Sequence, residues 1–141
     1  HTKLVNIAKK DRKLTMPTGR VYNFKPDIKG DRITWPRTKI LNYPVQGLGA
    51  DLMAIARVSL RNRLKDKKGV FLVNTVHDSI ILDFDDKVWD TTELVTIVDK
   101  CFNDVPANFK RMFGVDFNLP MRVDCEVGSD WGNMNKVVLN S

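Results

Sequence analysis

Apolar positions recur along this chain with two different periods, and each period predicts its own elements. Leu4, Ile7 and Ala8 fall at three- and four-residue steps within residues 1–11, as in the tail of a helix. Two short β-prone runs, Lys13–Met16 and Val21–Phe24, flank Pro17-Thr18-Gly19 and predict a hairpin. Residues 25–36, with Pro26, Gly30 and Pro36, read as loop with a short extended piece at Ile33–Trp35. The clearest helix is predicted over about residues 44–66, where Leu48, Leu52, Ile55, Ala56, Leu60 and Leu64 make one apolar stripe. Pro44 suits its first turn, where a missing N–H costs little, and Lys67-Lys68-Gly69 ends it.

Beyond that helix, residues 70–76 and 79–84 are β-branched and apolar, with only His77 and Asp78 between them. That spacing predicts a tight hairpin with the His-Asp pair at its apex. Asp90 followed by Glu93 makes a capping-box-like helix start, and Leu94, Val98, Cys101 and Phe102 supply the stripe. A shorter helix is expected over Val105–Phe113, stopped by Gly114. Met121, Val123, Cys125 and Val127 alternate with Arg122, Asp124 and Glu126, the period-two mark of a half-buried strand. With no repeat, low-complexity tract or linker, the expectation is one α+β domain over residues 1–141.

Composition narrows the function class. At 141 residues, 43% hydrophobic and 28% charged, the chain has the make-up of a soluble globular domain. It holds no apolar run near the ~20 residues that span a bilayer, and no signal peptide opens it. It begins with His1 and not Met, which suggests a fragment or a processed product. Cys101 and Cys125 match neither a zinc pattern nor a disulfide framework, so two buried thiols in a reducing, cytoplasmic compartment are expected. The net charge of +6 is uneven: residues 1–40 hold 11 Lys/Arg and 3 Asp, the remainder 12 basic and 14 acidic residues. A basic front suits a polyanion but is no proof of one.

The hairpin apex is the candidate chemical centre. Turns favour Asn-Gly or Asp-Gly, which tolerate positive φ, so His77-Asp78 is a poor turn and a good pair for chemistry. Two readings stand: solvated turn residues, or a carboxylate held stiffly for a cation such as Mg2+. Motifs upstream and downstream favour the second. Asn42-Tyr43-Pro44-Val45-Gln46-Gly47 with Ala50-Asp51 resembles the N-x-P-x-Q-G-x-x-A-D segment of family A, DNA polymerase I-like DNA polymerases. Val76-His77-Asp78-Ser79 resembles their V-H-D-E hairpin, and Thr18-Gly19-Arg20 ahead of Pro26-Asp27-Ile28 resembles their G-R…L-P-D-I stretch. Glu126-Val127-Gly128-Ser129 with Trp131 resembles their terminal E-V-G-S…W. The pieces occur in family order across residues ~13–134, and a bacteriophage-type enzyme is one expectation.

The resemblance implies the C-terminal part of a polymerase palm, an antiparallel palm-type sheet with helices packed on one face and the His-Asp hairpin at its centre. It implies that Asp78 is a catalytic, metal-binding carboxylate in a two-Mg2+ nucleotidyl transfer, sharing the metals with a carboxylate outside this chain. By the same resemblance His77 touches the primer terminus, and Gln46 and Asn42 reach the minor groove of the new base pair. Minor-groove acceptors occur at every base pair, so amide donors there test shape without reading sequence. Primer-template DNA, a dNTP and the rest of the polymerase, or a separate chain supplying it, are the implied partners; no membrane is.

Three departures qualify this. Ser79 stands where the family has Glu. The family's basic residue four before the Asn is Thr38 here, so that contact is carried to the neighbouring Arg37. No counterpart of the first-aspartate motif or fingers helix occurs, so the chain alone is expected to be inactive. The rival readings are a non-catalytic palm-like nucleic-acid-binding module and an HD-type phosphohydrolase, the latter lacking any His but His1 to complete its metal set. Trp131 is expected as a core plug, and Arg20 as a buttress for its hairpin. Lys9, Lys10, Arg12 and Lys13 are either a phosphate-contacting run or a solvated helix end.

Overall fold

The computed structural model describes residues 2–138, in which helices alternate with short antiparallel hairpins, an α+β architecture. Its contacts gather into two units, His1–Asp51 and Leu52–Ser141.

In the first unit, α1 (Thr2–Asp11) buries Val5 and Ala8, whereas Leu4 and Ile7 are exposed. The stripe is therefore rotated from the sequence expectation. Arg12, at φ 55, turns the chain into β1 (Lys13–Thr15), which pairs with β2 (Val21–Asn23) through Leu14↔Tyr22. Gly19, at φ 84, sits in the connecting turn, where its N–H donates to the Met16 carbonyl at 2.9 Å. Positive φ costs glycine nothing there. Within residues 25–36 the extended piece expected at Ile33–Trp35 forms in part as β4 (Arg32–Thr34), and its partner β3 (Asp27–Lys29), expected as loop, makes a second hairpin with it. It escaped the pattern because its facing pair, Ile28 and Ile33, stays exposed and no alternation of burial marks it.

The long helix α2 (Arg37–Leu64) starts well before Pro44, which lies inside it. Its first bond runs from Ile40 N–H to the Pro36 carbonyl at 3.0 Å, so the helix begins directly after Pro36. Pro44 then forgoes a backbone bond to residue 40, a loss of about 3 kcal/mol in an ordinary helix interior. Burial of Pro44 accompanies that loss. The unit's core is Val5, Ala8, Leu14, Phe24 and Ile40, with Tyr22, Trp35 and Leu41 half-buried around it.

In the second unit the rest of α2 presents the expected stripe, with Leu52, Ile55, Ala56, Leu60 and Leu64 buried. Gly69, at φ 73, leads into β5 (Val70–Val76), which pairs with β6 (Ser79–Phe84) through Val70↔Phe84, Leu72↔Leu82 and Val76↔Ser79. A register shift between Leu72 and Asn74 inserts Val73 as an extra residue. Val70, Leu72, Ile80, Leu82 and Phe84 pack with Leu60, Leu64, Trp89, Leu94 and Cys101. The Trp89 indole N–H donates to the Lys68 carbonyl at 2.9 Å and so ties the helix exit to the far end of the hairpin. Asp90 caps α3 (Thr91–Asn103) by accepting from Glu93 N–H at 3.1 Å, as expected. Then α4 (Val105–Phe113) ends at Gly114, φ 69. Of the strand expected over Met121–Val127 only the end forms, as β7 (Cys125–Gly128); its partner β8 (Met134–Val137) was not foreseen.

Each hairpin among the described residues is a separate two-stranded ladder. The broader palm-type sheet is thus not assembled within them: β5–β6 pairs with no third strand, and Phe71 on its outward face is 64% exposed. Among the same residues no helix is long and apolar enough to cross a membrane.

Candidate functional site

Two strands and a two-residue link fix the position of His77 and Asp78. Because Val76 faces Ser79 directly, the pair forms the whole of the β5–β6 tip, and both side chains are exposed. His77 adopts φ 51, a left-handed conformation that costs a residue bearing a Cβ about 1–2 kcal/mol. The ladder below imposes it. Ser79, where the resemblance leads one to expect Glu, uses its hydroxyl locally and donates to the Val76 carbonyl at 2.8 Å. The Asp78 carboxylate takes part in no ion pair among the described residues.

That arrangement offers a hard cation one carboxylate. Mg2+ takes about six, usually from one or two carboxylates with water and phosphate supplying the rest. No group of three or more His, Cys, Asp or Glu able to hold a metal occurs among the described residues. Asp78 therefore fits as one ligand of a shared site and not as a site in itself.

The other candidates lie on α2 in the first unit. Asn42 and Gln46 are one turn apart and exposed, so neither is a buried core amide. At 100° per residue Thr38 continues their row, whereas Arg37 is offset by about 140° from Asn42. The helix thus brings together Asn42 and Gln46, and Arg37 stands exposed on another face.

A further cluster joins two of the sequence motifs. The Arg20 guanidinium grips Asp51 through both oxygens, Nη2 to Oδ1 at 2.5 Å and Nε to Oδ2 at 3.3 Å. Thr18 Oγ1 donates to Asp51 Oδ2 at 2.8 Å. Arg20's hydrogen bond, with help from Thr18, holds the Asp51 carboxyl below the usual carboxylate range despite its partial burial. One turn earlier, the Tyr22 hydroxyl fills the space beside Gly47, where an added Cβ would lie 1.5 Å from it. Arg20 thus buttresses as expected, but against α2. Asp51 closes one of the motifs that carry the resemblance, but neither it nor Tyr22 was assigned a contact from sequence. The available signal was a helical Gly with an Asp four residues on, a notch and an anchor on one face.

The terminal motif is also structural. A Cβ on Gly128 would lie 1.8 Å from the Asn133 carbonyl oxygen, so the β7–β8 hairpin requires glycine there. Asp130 organises the turn by accepting from Asn133, Ser129 and Gly132, and those bonds lower its pKa. Trp131 sits in that turn 64% exposed; it is no core plug, because the turn directs it outward. Cys101 is buried and Cys125 half-buried, and burial raises both thiols.

Comparison with known proteins agrees with the motifs. The chain is 37% identical over 91 residues to the thermostable DNA polymerase I of Thermus filiformis, covering 64% of this chain and 9% of that protein. It is 29% identical over 112 residues to DNA polymerase I of Chloroflexus aurantiacus, 78% of this chain and 11% of that protein. It therefore spans about a tenth of the length of these curated relatives. No solved structure matches it significantly. Residues 2–133 match the sequence profile of DNA polymerase family A, and the chain belongs to that family.

Proposed function

We propose that this chain is the C-terminal part of the palm of a DNA-directed DNA polymerase, working in a reducing, cytoplasmic compartment with the rest of that enzyme. The observation that carries the reading is the two-residue tip that presents Asp78 at the end of a paired ladder in a chain of this family. Asp78 serves as one carboxylate ligand of a two-Mg2+ site whose remaining ligands come from outside the chain. Metal bound there would neutralise charge on the transferring phosphoryl group and on the attacking 3′-oxygen. Asp78 itself is acceptor-only when ionised, and the ladder holds it still, so little reorganisation accompanies metal binding. His77 lies against the primer end and limits where the 3′-terminal sugar rests. Asn42 and Gln46 donate to the minor-groove acceptors of the nascent pair. The edge of the β5–β6 ladder accepts a strand of the remaining palm, which would complete the sheet.

In the polymerase that contains this chain, Asp78→Asn should lower nucleotide incorporation by at least about a hundredfold, the scale of losing one group that stabilises transition-state charge. Affinity for primer-template should stay within about threefold, since the substitution removes a negative charge and no DNA contact. Incorporation unchanged by Asp78→Asn would overturn the catalytic reading and leave a nucleic-acid-binding module in its place.

A further inference from the structure

The contacts of Thr18, Arg20 and Tyr22 with α2 do more than attach a hairpin. A partly exposed ion pair contributes little to stability, typically about 0–1 kcal/mol, so energy alone gives no reason for three donor atoms on one carboxylate. What the contacts define is geometry. Gly47 and Asp51 lie one helical turn apart on the same face, and the β1–β2 hairpin engages both. The Tyr22 hydroxyl fits a notch that exists only because residue 47 has no side chain. The Arg20 fork, which is planar and pre-organised, meets two oxygens of the second residue. A helix held at two points one turn apart can neither roll nor slide. The brace also lies where α2 needs one, because Pro44 removes a backbone bond from the turn leading into Gly47.

We infer that Tyr22, Arg20 and Asp51 are positioning residues that set the roll of α2, and through it the aim of Gln46 and Asn42 at a base pair. The inference rests on the minor-groove role proposed for those two amides. Gln46 adjoins the notch residue, and Asn42 lies one turn before it on the same row. A roll of about 10° moves atoms at the helix rim by about 1 Å. Misplacement of that size can cost up to about a hundredfold in rate when a hydrogen bond must be met at the reacting end. A correctly paired terminus, which offers its acceptors in fixed positions, loses more from a misaimed amide than a mispaired one does. Discrimination should therefore fall while duplex affinity holds.

The test uses the polymerase containing this chain and measures single-nucleotide extension from matched and mismatched 3′ ends. The variants are Gln46→Ala, Asp51→Asn, their double combination, and Arg20→Lys. Asp51→Asn should lower kcat from matched ends about tenfold or more and narrow the matched-to-mismatched ratio, with duplex Kd within about twofold. The double variant should lose less than the two single losses combined, since Asp51→Asn acts partly through the Gln46 amide already removed and adds only the misaim of Asn42. Arg20→Lys, which keeps the charge and loses the fork, should fall between wild type and Asp51→Asn. Losses that simply add, or equal losses from matched and mismatched ends, would show a merely structural brace and overturn the inference. If Gln46→Ala leaves discrimination intact, the minor-groove reading itself fails and takes the inference with it. If Gln46→Ala narrows discrimination and Asp51→Asn does not, only the inference fails.

Discussion

His77 shows how one residue can carry a cost that the fold alone does not require. The β5–β6 link contains two residues, and the first adopts φ 51. Glycine or asparagine would be the ordinary occupant. Keeping histidine there stores roughly 1–2 kcal/mol of backbone strain, which glycine would relieve at some expense in unfolded-state entropy. His77→Gly is accordingly expected to raise stability by up to about 1 kcal/mol in a denaturant melt of this chain. The same change in the whole polymerase should reduce extension from the primer end. A variant both less stable and equally active would mean that the imidazole packs against the tip and has no part in positioning DNA. The neighbouring Ser79 obeys the opposite logic, because its hydroxyl closes the turn by donating to Val76 and so serves the hairpin.

Among the elements, α2 and the β1–β2 hairpin are coupled through Gly47. Placing alanine in a helix interior normally gains about 1 kcal/mol over glycine. Here the new Cβ would collide with the Tyr22 hydroxyl, and the ring would have to leave its seat. Overpacking of that kind costs typically about 1–3 kcal/mol, so Gly47→Ala should be destabilising by up to about 2 kcal/mol. In a Tyr22→Ala background the same substitution should become stabilising by up to about 0.5–1 kcal/mol, because the helix preference then outweighs the one remaining close neighbour, the flexible Arg20 Cδ at 3.2 Å. Denaturant melts of the four species check it, and an unchanged sign would disprove the notch. The two elements themselves were each legible in sequence, as were β5, β6, α3 and α4, because periodic burial or a cap marks them. Their mutual contact was not, since Arg20 and Asp51 lie 31 residues apart and no local pattern links them. The start of α2 was misplaced because Pro44 favours a first turn on propensity, whereas the helix begins directly after Pro36 and continues through Pro44. Exposed Ile28 and Ile33 concealed β3 for the opposite reason, a strand pair without a buried face. At the candidate site the two-residue tip was legible from spacing, whereas Asn42 and Gln46 were named by the resemblance, and Asn42 lay outside the helix predicted over about residues 44–66.

Charge acts at the scale of the whole molecule, and it divides with the two units. His1–Asp51 holds 11 Lys/Arg against 4 Asp, whereas Leu52–Ser141 holds 12 basic and 13 acidic residues, so the first unit carries +7 and the second −1. Every described basic residue from Lys3 to Lys13 is exposed, including Lys9, Lys10, Arg12 and Lys13 around the end of α1. If that run meets phosphates, association with duplex DNA releases condensed counterions, and log K falls with log salt by about 0.9 for each phosphate neutralised. Three such contacts would lower affinity about fortyfold between about 50 and about 200 mM salt. Replacing both Lys9 and Lys10 by Gln should then reduce the slope by about 2 and weaken binding without regard to sequence. The measurement is a salt titration of duplex affinity for the chain and the double variant. An identical slope in both would assign Lys9 and Lys10 to a solvated helix end and leave any phosphate contacts to the other basic residues of the chain.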